Sequence, residues 1–228
     1  MTESGDVYAW GYGGKTSFVG CSWFKTHNPL GTGLEGSSFT PVKVNINNVS
    51  QISAGQDFSL AVSQGKVWGW GEGLKYLYHE PTSLPISFEN VNVYCETKHT
   101  SVRKVQSTER FAMFLLENGR LYAIGRNIGG ATATRHNAKI ITDNVLHMLT
   151  KINDHDLHGE KVEDFELSAN SLIFRTQSGA VFYSGMHSKF LPTRFPVSVE
   201  AKSIWATKNS VGIIGTDSKV YFVNEPLV

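Results

Sequence analysis

The sequence predicts an all-β fold built from repeated units of short strands, and three observations support this prediction. A short pattern in which two Gly residues flank apolar and aromatic residues recurs along the chain. A second apolar pattern precedes most copies of the first at a nearly constant distance. Long segments of helical period are missing, and the best helical candidate, residues 144–153 (NVLHMLTKIN), lies inside a longer inter-strand loop predicted over residues 142–161.

The first pattern has four complete copies and a fifth that lacks the closing Gly. The copies read GDVYAWG, GKVWGWG, GRLYAIG, GAVFYSG and SKVYFV, and they begin at Gly5, Gly65, Gly119, Gly179 and Ser218. Glycine readily adopts the positive φ of tight turns, so the two Gly residues mark the ends of a strand. We expect Gly11, Gly71 and Gly125 to close three of these strands. The strand aromatics, Trp10 and Trp70 among them, are expected to fill the space between neighbouring sheets.

The second pattern precedes the last four copies of the first. It reads VSQISAGQDFSLAV, VRKVQSTERFAMFL, VEDFELSANSLIFR and AKSIWATKNSVGII. Its central apolar residue lies 13 or 14 residues before the next copy, and these residues are Ile52, Val105, Phe165 and Ile204. Each unit therefore predicts a strand, a tight polar turn (marked in the first copy by Gly55) and two further strands. A Pro-marked fourth strand is predicted in TPVKV, SLPISF and FPVSV.

Four short strands repeated every 39 to 60 residues are typical of a β-propeller. A single blade cannot bury both of its faces, so neighbouring blades stack and form the core between them. Counting strands gives two in an N-terminal half-blade, four in each of three middle blades and three at the C-terminus. The sequence thus predicts a single domain over residues 1–228 with about four to five blades.

The first units resemble consecutive repeats of the regulator of chromosome condensation family. The resemblance is carried by GDVYAWGYG, NPLGTG, TPVKV and NVSQISAGQDFSLAVSQGKVWGWG. It is strongest over residues 5–73 and weakens afterwards, where QST and ELS replace SAG. The resemblance implies a propeller, which in this family usually has seven blades. The smaller strand count leaves two arrangements, an incomplete, open arc or a reduced, closed ring. The arc is favoured because the fifth copy duplicates the N-terminal strand rather than complementing it.

The resemblance also implies a function. Founding members of the family act as guanine nucleotide exchange factors for the small GTPase Ran and bind chromatin. None of their functional residues can be placed on this sequence, so regulation of a small GTPase by exchange, or binding to chromatin, is the alternative. The favoured function is a non-enzymatic protein–protein interaction scaffold that acts as a subunit of a larger complex. Its expected partners are other proteins, including a second copy or a chain that completes the propeller.

The composition limits the other function classes. Lys and Arg total 21 against 20 for Asp and Glu, so a net charge of +1 does not favour direct nucleic-acid binding. Two cysteines, Cys21 and Cys95, are too few for a disulfide framework or a four-cysteine zinc site. No run of about 18 apolar residues occurs, so membrane insertion is not expected. We expect an intracellular protein, first in the cytoplasm, with nuclear, cytoskeletal and organellar assemblies as alternatives.

Two short motifs have the residues of a ligand site, and each has a simpler explanation. Residues 9–16 fit the phosphate-loop template, but the next segment is a poor helix and Gly11 fits the repeat better. His155 and His158 lack an identifiable third metal ligand. No Ser/His/Asp or Cys/His catalytic set is evident. We therefore expect no cofactor, no metal and no enzymatic activity.

An inserted aromatic loop over residues 12–30 is the main departure from the repeat. Together with a second loop, LKYLYHEP, it contributes the candidate partner contacts Phe18, Trp23, Phe24, Tyr76 and Tyr78. These side chains either fold back over the propeller edge or anchor a protein partner, since aromatic residues on exposed loops form interface hot spots.

Overall fold

The structure is a computed structural model, and most of the chain is described. The described residues are 1–14, 16–19, 22–25, 28–34, 36–77, 79–97, 99–109, 111–126, 145–152, 157, 159–169, 171–185, 192–208 and 210–224. The chain divides into two compact units, Met1–Ala112 and Met113–Val228. The predicted single domain over residues 1–228 stays a prediction.

The first unit contains two complete sheets and a separate hairpin. An N-terminal sheet pairs β1 (Tyr8–Gly11) with β4 (Ser38–Lys43), and a separate hairpin pairs β2 (Thr16–Val19) with β3 (Ser22–Lys25). The second sheet has the order β5 (Val49–Ala54), β6 (Ser59–Ser63), β7 (Lys66–Gly71) and β8 (Thr82–Ser87). A 3-10 helix (Glu72–Leu77) follows β7, and α1 (Glu89–Thr97) follows β8.

Three further sheets follow along the chain. The third sheet contains β9 (Val102–Ser107), β10 (Phe111–Leu116), β11 (Leu121–Arg126) and β12 (Val145–Lys151) in that order. The fourth contains β13 (Val162–Leu167), β14 (Ser171–Thr176), β15 (Val181–Gly185) and β16 (Thr193–Arg194). The C-terminal sheet contains β17 (Ala201–Ala206), β18 (Ser210–Gly215) and β19 (Val220–Asn224). The predicted series of two, four, four, four and three strands is confirmed in the described residues, with the β2–β3 hairpin in addition.

The best helical candidate, residues 144–153, contains a strand in the structure, and this strand lies within the segment 142–161 predicted as a longer loop. β12 occupies this segment and pairs with β11, with Leu146 opposite Gly125 and Thr150 opposite Ala123. A helix this short is marginal on its own, because few hydrogen bonds offset the cost of its first turn. The open edge of β11 instead pairs with the backbone groups of β12.

One backbone hydrogen bond recurs where each fourth strand ends. At 2.8–3.0 Å, an N–H donates to a carbonyl oxygen in the pairs Val44 to Val7, Phe88 to Val67, Ile152 to Leu121 and Phe195 to Val181. The four donor residues are buried. Each bond therefore holds the end of a fourth strand against the third strand and places an apolar side chain in the core.

A second recurring hydrogen bond joins successive sheets at the turns before three of the third strands. At 2.8–3.1 Å, an N–H donates to a turn carbonyl oxygen in the pairs Val49 to Gly5, Val102 to Gly65 and Val162 to Gly119. The φ of these glycines is 73–80°. A Cβ at Gly65 would lie 2.6 Å from the Cβ of Ser101. In these three copies the first Gly is therefore required both by its left-handed backbone and by the approach of the next sheet.

Apolar side chains fill the space between sheets. In the first unit one cluster contains Val7, Val44, Ile46, Val49, Ala61 and Trp70, with Ala9 and Trp68 packed against it. In the second unit a cluster contains Ile173, Val181, Phe195, Ala201, Ile204, Val211 and Ile213, with Tyr183, Tyr221 and Val223 among those packed against it. Each cluster draws residues from two successive sheets, so the core is formed between sheets rather than within one.

Replacing the turn glycines by Ala should separate backbone strain from the packing of sheets. Gly179 has a φ of 84° and open space where a Cβ would lie, whereas a Cβ at Gly119 would lie 2.6 Å from the Cβ of Lys161. Gly179→Ala should cost about 1–2 kcal/mol through its left-handed backbone. Gly119→Ala should cost a further 1–3 kcal/mol or so through overpacking. Urea unfolding of both variants measures the difference, and equal losses would contradict the proposed role of sheet approach.

Candidate protein-interaction surface

The structure places four of the five predicted partner contacts on described backbone. Phe18 lies on β2, and Trp23 and Phe24 lie on β3, with Phe18 opposite Trp23 in the hairpin register. Tyr76 is half-buried on the 3-10 helix, and the Nζ of Lys75 is 5.7 Å from its ring centroid. Tyr78 lies outside the described residues.

Both aromatic loops connect strands at the third and fourth positions of the repeat, namely β1 with β4 and β7 with β8. The bases of the two loops meet at Ser83 on β8. The backbone N–H of Asn28 donates to Ser83 Oγ at 2.9 Å. The backbone N–H of Gly33 donates to the carbonyl oxygen of Ser83 at 3.0 Å. The C-terminal end of the insertion between β1 and β4 is thus fixed to the neighbouring connection between β7 and β8.

Asn28 organises the base of the insertion. Its Nδ2 donates to the carbonyl oxygens of Leu34 at 2.6 Å and Gly36 at 3.3 Å. Its Oδ1 accepts a hydrogen bond from the N–H of Leu30 at 2.8 Å. A Cβ at Gly13 would lie 3.0 Å from Asn28 Nδ2, so both ends of the insertion converge on this buried amide. Sequence reasoning missed the role of Asn28, although NPLGTG, with Asn before Pro and two glycines, is typical of a turn held by the Asn side chain.

The same loop covers Trp70. A Cβ at Gly31 would lie 2.5 Å from the Nε1 of Trp70, so only Gly allows the loop backbone to lie directly on the indole. Trp70 is 2% exposed, as expected for an aromatic residue between sheets. The same expectation is wrong for Trp10, its counterpart in the first copy, which is 59% exposed. Within the first unit, no described sheet precedes the one that contains Trp10.

Three large apolar side chains are exposed around this base: Tyr12, Leu34 and Leu84. Tyr12 begins the insertion, and the two leucines directly follow Gly33 and Ser83, which are joined by a hydrogen bond. We name these three residues, together with the β2–β3 hairpin, the connection surface. Exposed apolar side chains on a well-fixed base are typical of protein-binding sites.

The described residues favour no other ligand chemistry. β2 begins at Thr16, where a phosphate loop requires the start of a helix. In the ranges given above, no group of three or more His, Cys, Asp or Glu side chains is placed to hold a metal ion. Lys15, His155 and His158 lie outside those ranges. None of the described helices has the length and apolar character needed to span a bilayer.

Cys95 on α1 is unsuited to nucleophilic chemistry. Its side chain is buried, and burial, together with the nearby Glu96 carboxylate, raises the pKa of the thiol to about 11. The thiolate is the reactive form of cysteine. Near neutral pH this thiol is therefore protonated and inert.

The successive four-stranded antiparallel sheets, with apolar clusters between them, define a β-propeller fold of the RCC1 type. No protein-family model matches the sequence. Yeast RCC1 (Prp20), in a structure bound to Kap60, is similar with a TM-score of 0.68 and 17% identity, over 96% of this chain and 52% of that one. Prp20p from Saccharomyces cerevisiae, in a structure described with its binding to Gsp1p and histones, is similar with a TM-score of 0.68 and 18% identity. The match covers 96% of this chain and 54% of that one.

Human WBSCR16 is also similar, with a TM-score of 0.55 and 15% identity, over 97% of this chain and 74% of that one. These similarities confirm the fold that the repeat sequence predicts. This chain spans about half the length of the two Prp20 chains it matches.

Asn28 variants test how the base of the insertion is held. Asn28→Ala should lower the free energy of unfolding by about 1–3 kcal/mol, because two carbonyl oxygens and one N–H lose their partner. Asn28→Asp should be at least as harmful near neutral pH, since it keeps the acceptor for Leu30 but sets a carboxylate against two carbonyl oxygens. Urea unfolding measures both values. Wild-type stability in Asn28→Asp would show that the two donated hydrogen bonds are unimportant.

The reactivity of Cys95 tests its burial. In a Cys21→Ser variant, a thiol reagent should modify Cys95 much more slowly in the native chain than in the urea-unfolded chain. The reason is that burial both shields the thiol and raises its pKa to about 11. The unfolded chain serves as the control for intrinsic reactivity. Equal rates in the two states would mean that Cys95 is accessible in the native protein.

Proposed function

We propose that this chain is a non-enzymatic protein-interaction scaffold that acts as a subunit of a larger complex and binds its partner through the connection surface. The observation that carries the proposal is the exposure of Tyr12, Leu34 and Leu84 around a base fixed by Asn28 and Ser83. Apolar anchors on a preorganised base bind with little loss of conformational entropy. The aromatic residues of the β2–β3 hairpin belong to the same insertion and add candidate anchors.

The partner is expected to be a protein rather than a nucleic acid. A net charge of +1 gives no general attraction for phosphate backbones. The exposed residues Tyr12, Leu34 and Leu84 of the connection surface are aromatic or apolar, which suits the centre of a protein–protein interface. The cytoplasm is the proposed compartment, and other intracellular assemblies are compatible with the same surface.

Exchange activity on a small GTPase is the second candidate, and the fold similarity favours it. The yeast structure of the same fold type is described with binding to Gsp1p and histones. This chain spans about half of that protein, so the activity does not transfer with the fold. A nucleotide-release assay with purified small GTPases separates the two candidates. If the isolated chain catalyses nucleotide release, the scaffold proposal is rejected in favour of exchange activity.

Two double variants test the connection surface: Leu34→Ser with Leu84→Ser, and Trp23→Ala with Phe24→Ala. Each should reduce the amount of partner that co-purifies with the tagged chain, because loss of an interface anchor typically costs about 2 kcal/mol or more. Quantitative mass spectrometry measures the loss, and binding of the purified partner then gives the change in affinity. Thermal unfolding of the isolated variants should remain close to wild type.

Ile52→Ser is the matched control, because Ile52 and Leu84 are both 47% exposed, yet Ile52 lies on the first strand of the second sheet. It should leave the partners unchanged. Retention of all partners by both double variants would refute the proposed surface. Unfolding of the Trp23→Ala, Phe24→Ala variant without any partner would instead assign these aromatics to the propeller edge.

A further inference from the structure

Each third strand presents two different faces to its neighbours. Side chains alternate along a strand. Counting from the turn residue that begins each copy of the repeat (Gly5, Gly65, Gly119, Gly179 or Ser218), the residues at the second and fourth positions therefore share one face. Residues at the third and fifth positions share the other. We name the first set the forward face, since it packs against the next sheet, and the second set the backward face, since it packs against the preceding sheet.

The first unit contains one such contact in full. Val7 and Ala9 form the forward face of β1, and Trp68 and Trp70 form the backward face of β7. All four lie in one apolar cluster. In this contact a small aliphatic forward face therefore meets an aromatic backward face.

The second unit contains a second contact of the same kind. Val181 and Tyr183 form the forward face of β15, and Tyr221 and Val223 form the backward face of β19. These four also lie in one apolar cluster. The repeat positions that meet are the same as in the first unit, although the residues differ, so this pairing of faces is a property of the repeat.

The backward face of the N-terminal sheet is open in the part of the chain that the structure describes. Tyr8 and Trp10 occupy the positions of Trp68 and Trp70, and both are exposed, Trp10 at 59% against 2% for Trp70. Phe39 on the neighbouring β4 is 96% exposed. This sheet thus displays three aromatic side chains, and two of them stand at positions that the repeat covers elsewhere.

The forward face of the C-terminal sheet is open as well, again among the described residues. Val220 and Phe222 occupy the positions of Val7 and Ala9, yet they are 58% and 57% exposed. Ile214 on the neighbouring β18 is also exposed. The chain therefore carries both halves of a contact that it makes elsewhere, and each half is exposed.

We infer that the C-terminal sheet of one copy packs on the N-terminal sheet of a second copy, with Val220 and Phe222 against Tyr8 and Trp10. The occupant is a second copy because the internal contacts define the chemistry that covers each face, and this chain displays that chemistry on the opposite terminal sheet. The contact joins two different surfaces, so it is heterologous and extends to rings or filaments unless it is capped.

This contact should rest on apolar packing more than on hydrogen bonds. The recurring inter-sheet bond needs the N–H of a first strand, such as Val49 or Val102, and the N-terminal sheet begins with a third strand. Ser218, at the turn before β19, keeps the left-handed backbone of the turn glycines with a φ of 64°. In the proposed contact, however, no first strand is present to donate an N–H to the carbonyl oxygen of Ser218. Association should therefore persist at high salt, which screens exposed charges and leaves apolar packing in place.

Two charge substitutions test the head-to-tail contact. Sedimentation of the wild-type chain should show concentration-dependent association, and Trp10→Glu or Phe222→Glu alone should weaken it by about thirtyfold or more, as expected for a buried aromatic anchor. An equimolar mixture of the two variants should give a dimer and nothing larger, because it contains one intact face of each kind. Leu34→Ser with Leu84→Ser should associate as wild type does, since the connection surface is separate.

Several results would overturn the inference: a wild-type chain that stays monomeric, single variants that associate normally, or a mixture that stays monomeric. Circular dichroism checks that the variants fold. If one does not, Tyr8→Ser replaces Trp10→Glu, or Val220→Ser replaces Phe222→Glu, so that each variant still changes one face. The proposed function fails by a different result, namely retention of all partners by both double variants of the connection surface. The two proposals can therefore fail independently.

Discussion

The contact between one sheet and the next is the interaction on which the rest of this structure depends. A hydrogen bond from the first strand to the preceding turn recurs three times. One apolar cluster includes Val49, the donor of the first of these bonds, and another lies between the fourth and C-terminal sheets. Between β5 and β9 polar side chains add to it, since Ser53 Oγ accepts from the N–H of Ser107 at 2.8 Å and Gln51 bonds the backbone of Arg103 and Val105. Each sheet is thus stabilised chiefly by its neighbour, as in other repeat proteins.

The connection surface depends on the same contact. The loop held by Asn28 lies on Trp70, and Trp70 belongs to the cluster between the N-terminal and second sheets. Loss of the sheet contact would therefore remove the Trp70 side chain on which the loop packs. Loss of the loop would in turn expose the indole of Trp70 to solvent. Because site and core share this residue, variants that probe partner binding have to spare Trp70 and change the exposed leucines instead.

The sheets could be predicted from the sequence because their signals are local and repeated, whereas several functional details depend on contacts distant in sequence. The helix α1 is one example: Asn92 on it bonds both the N–H and the carbonyl oxygen of Val67 at 2.8 and 2.9 Å. These two hydrogen bonds to β7 fix the place of the helix. β12 was missed for the same reason, because its pairing is decided by the open edge of β11. The role of Asn28 was missed although its side-chain hydrogen bonds are local and the Asn-Pro motif is typical of a turn.

The weakening of the repeat along the chain also has a physical cause. The first turn of the second sheet closes through the N–H of Gly55 and the carbonyl oxygen of Phe58, and Thr108, Ser168 and Thr207 close the matching turns in the same way. Only Gly fits at position 55, because a Cβ there would lie 2.0 Å from an atom of the Phe58 ring.

A similar change occurs at the turn before the third strand. Gly119 is crowded by the next sheet, Gly179 has open space around it, and the fifth copy carries Ser218. Crowding by the next sheet therefore accounts for Gly119, whereas Gly179 and Ser218 share only the left-handed backbone of the turn. Low sequence identity to proteins of the same fold is the expected result, because the fold constrains which backbone groups meet more tightly than it constrains the side chains around them.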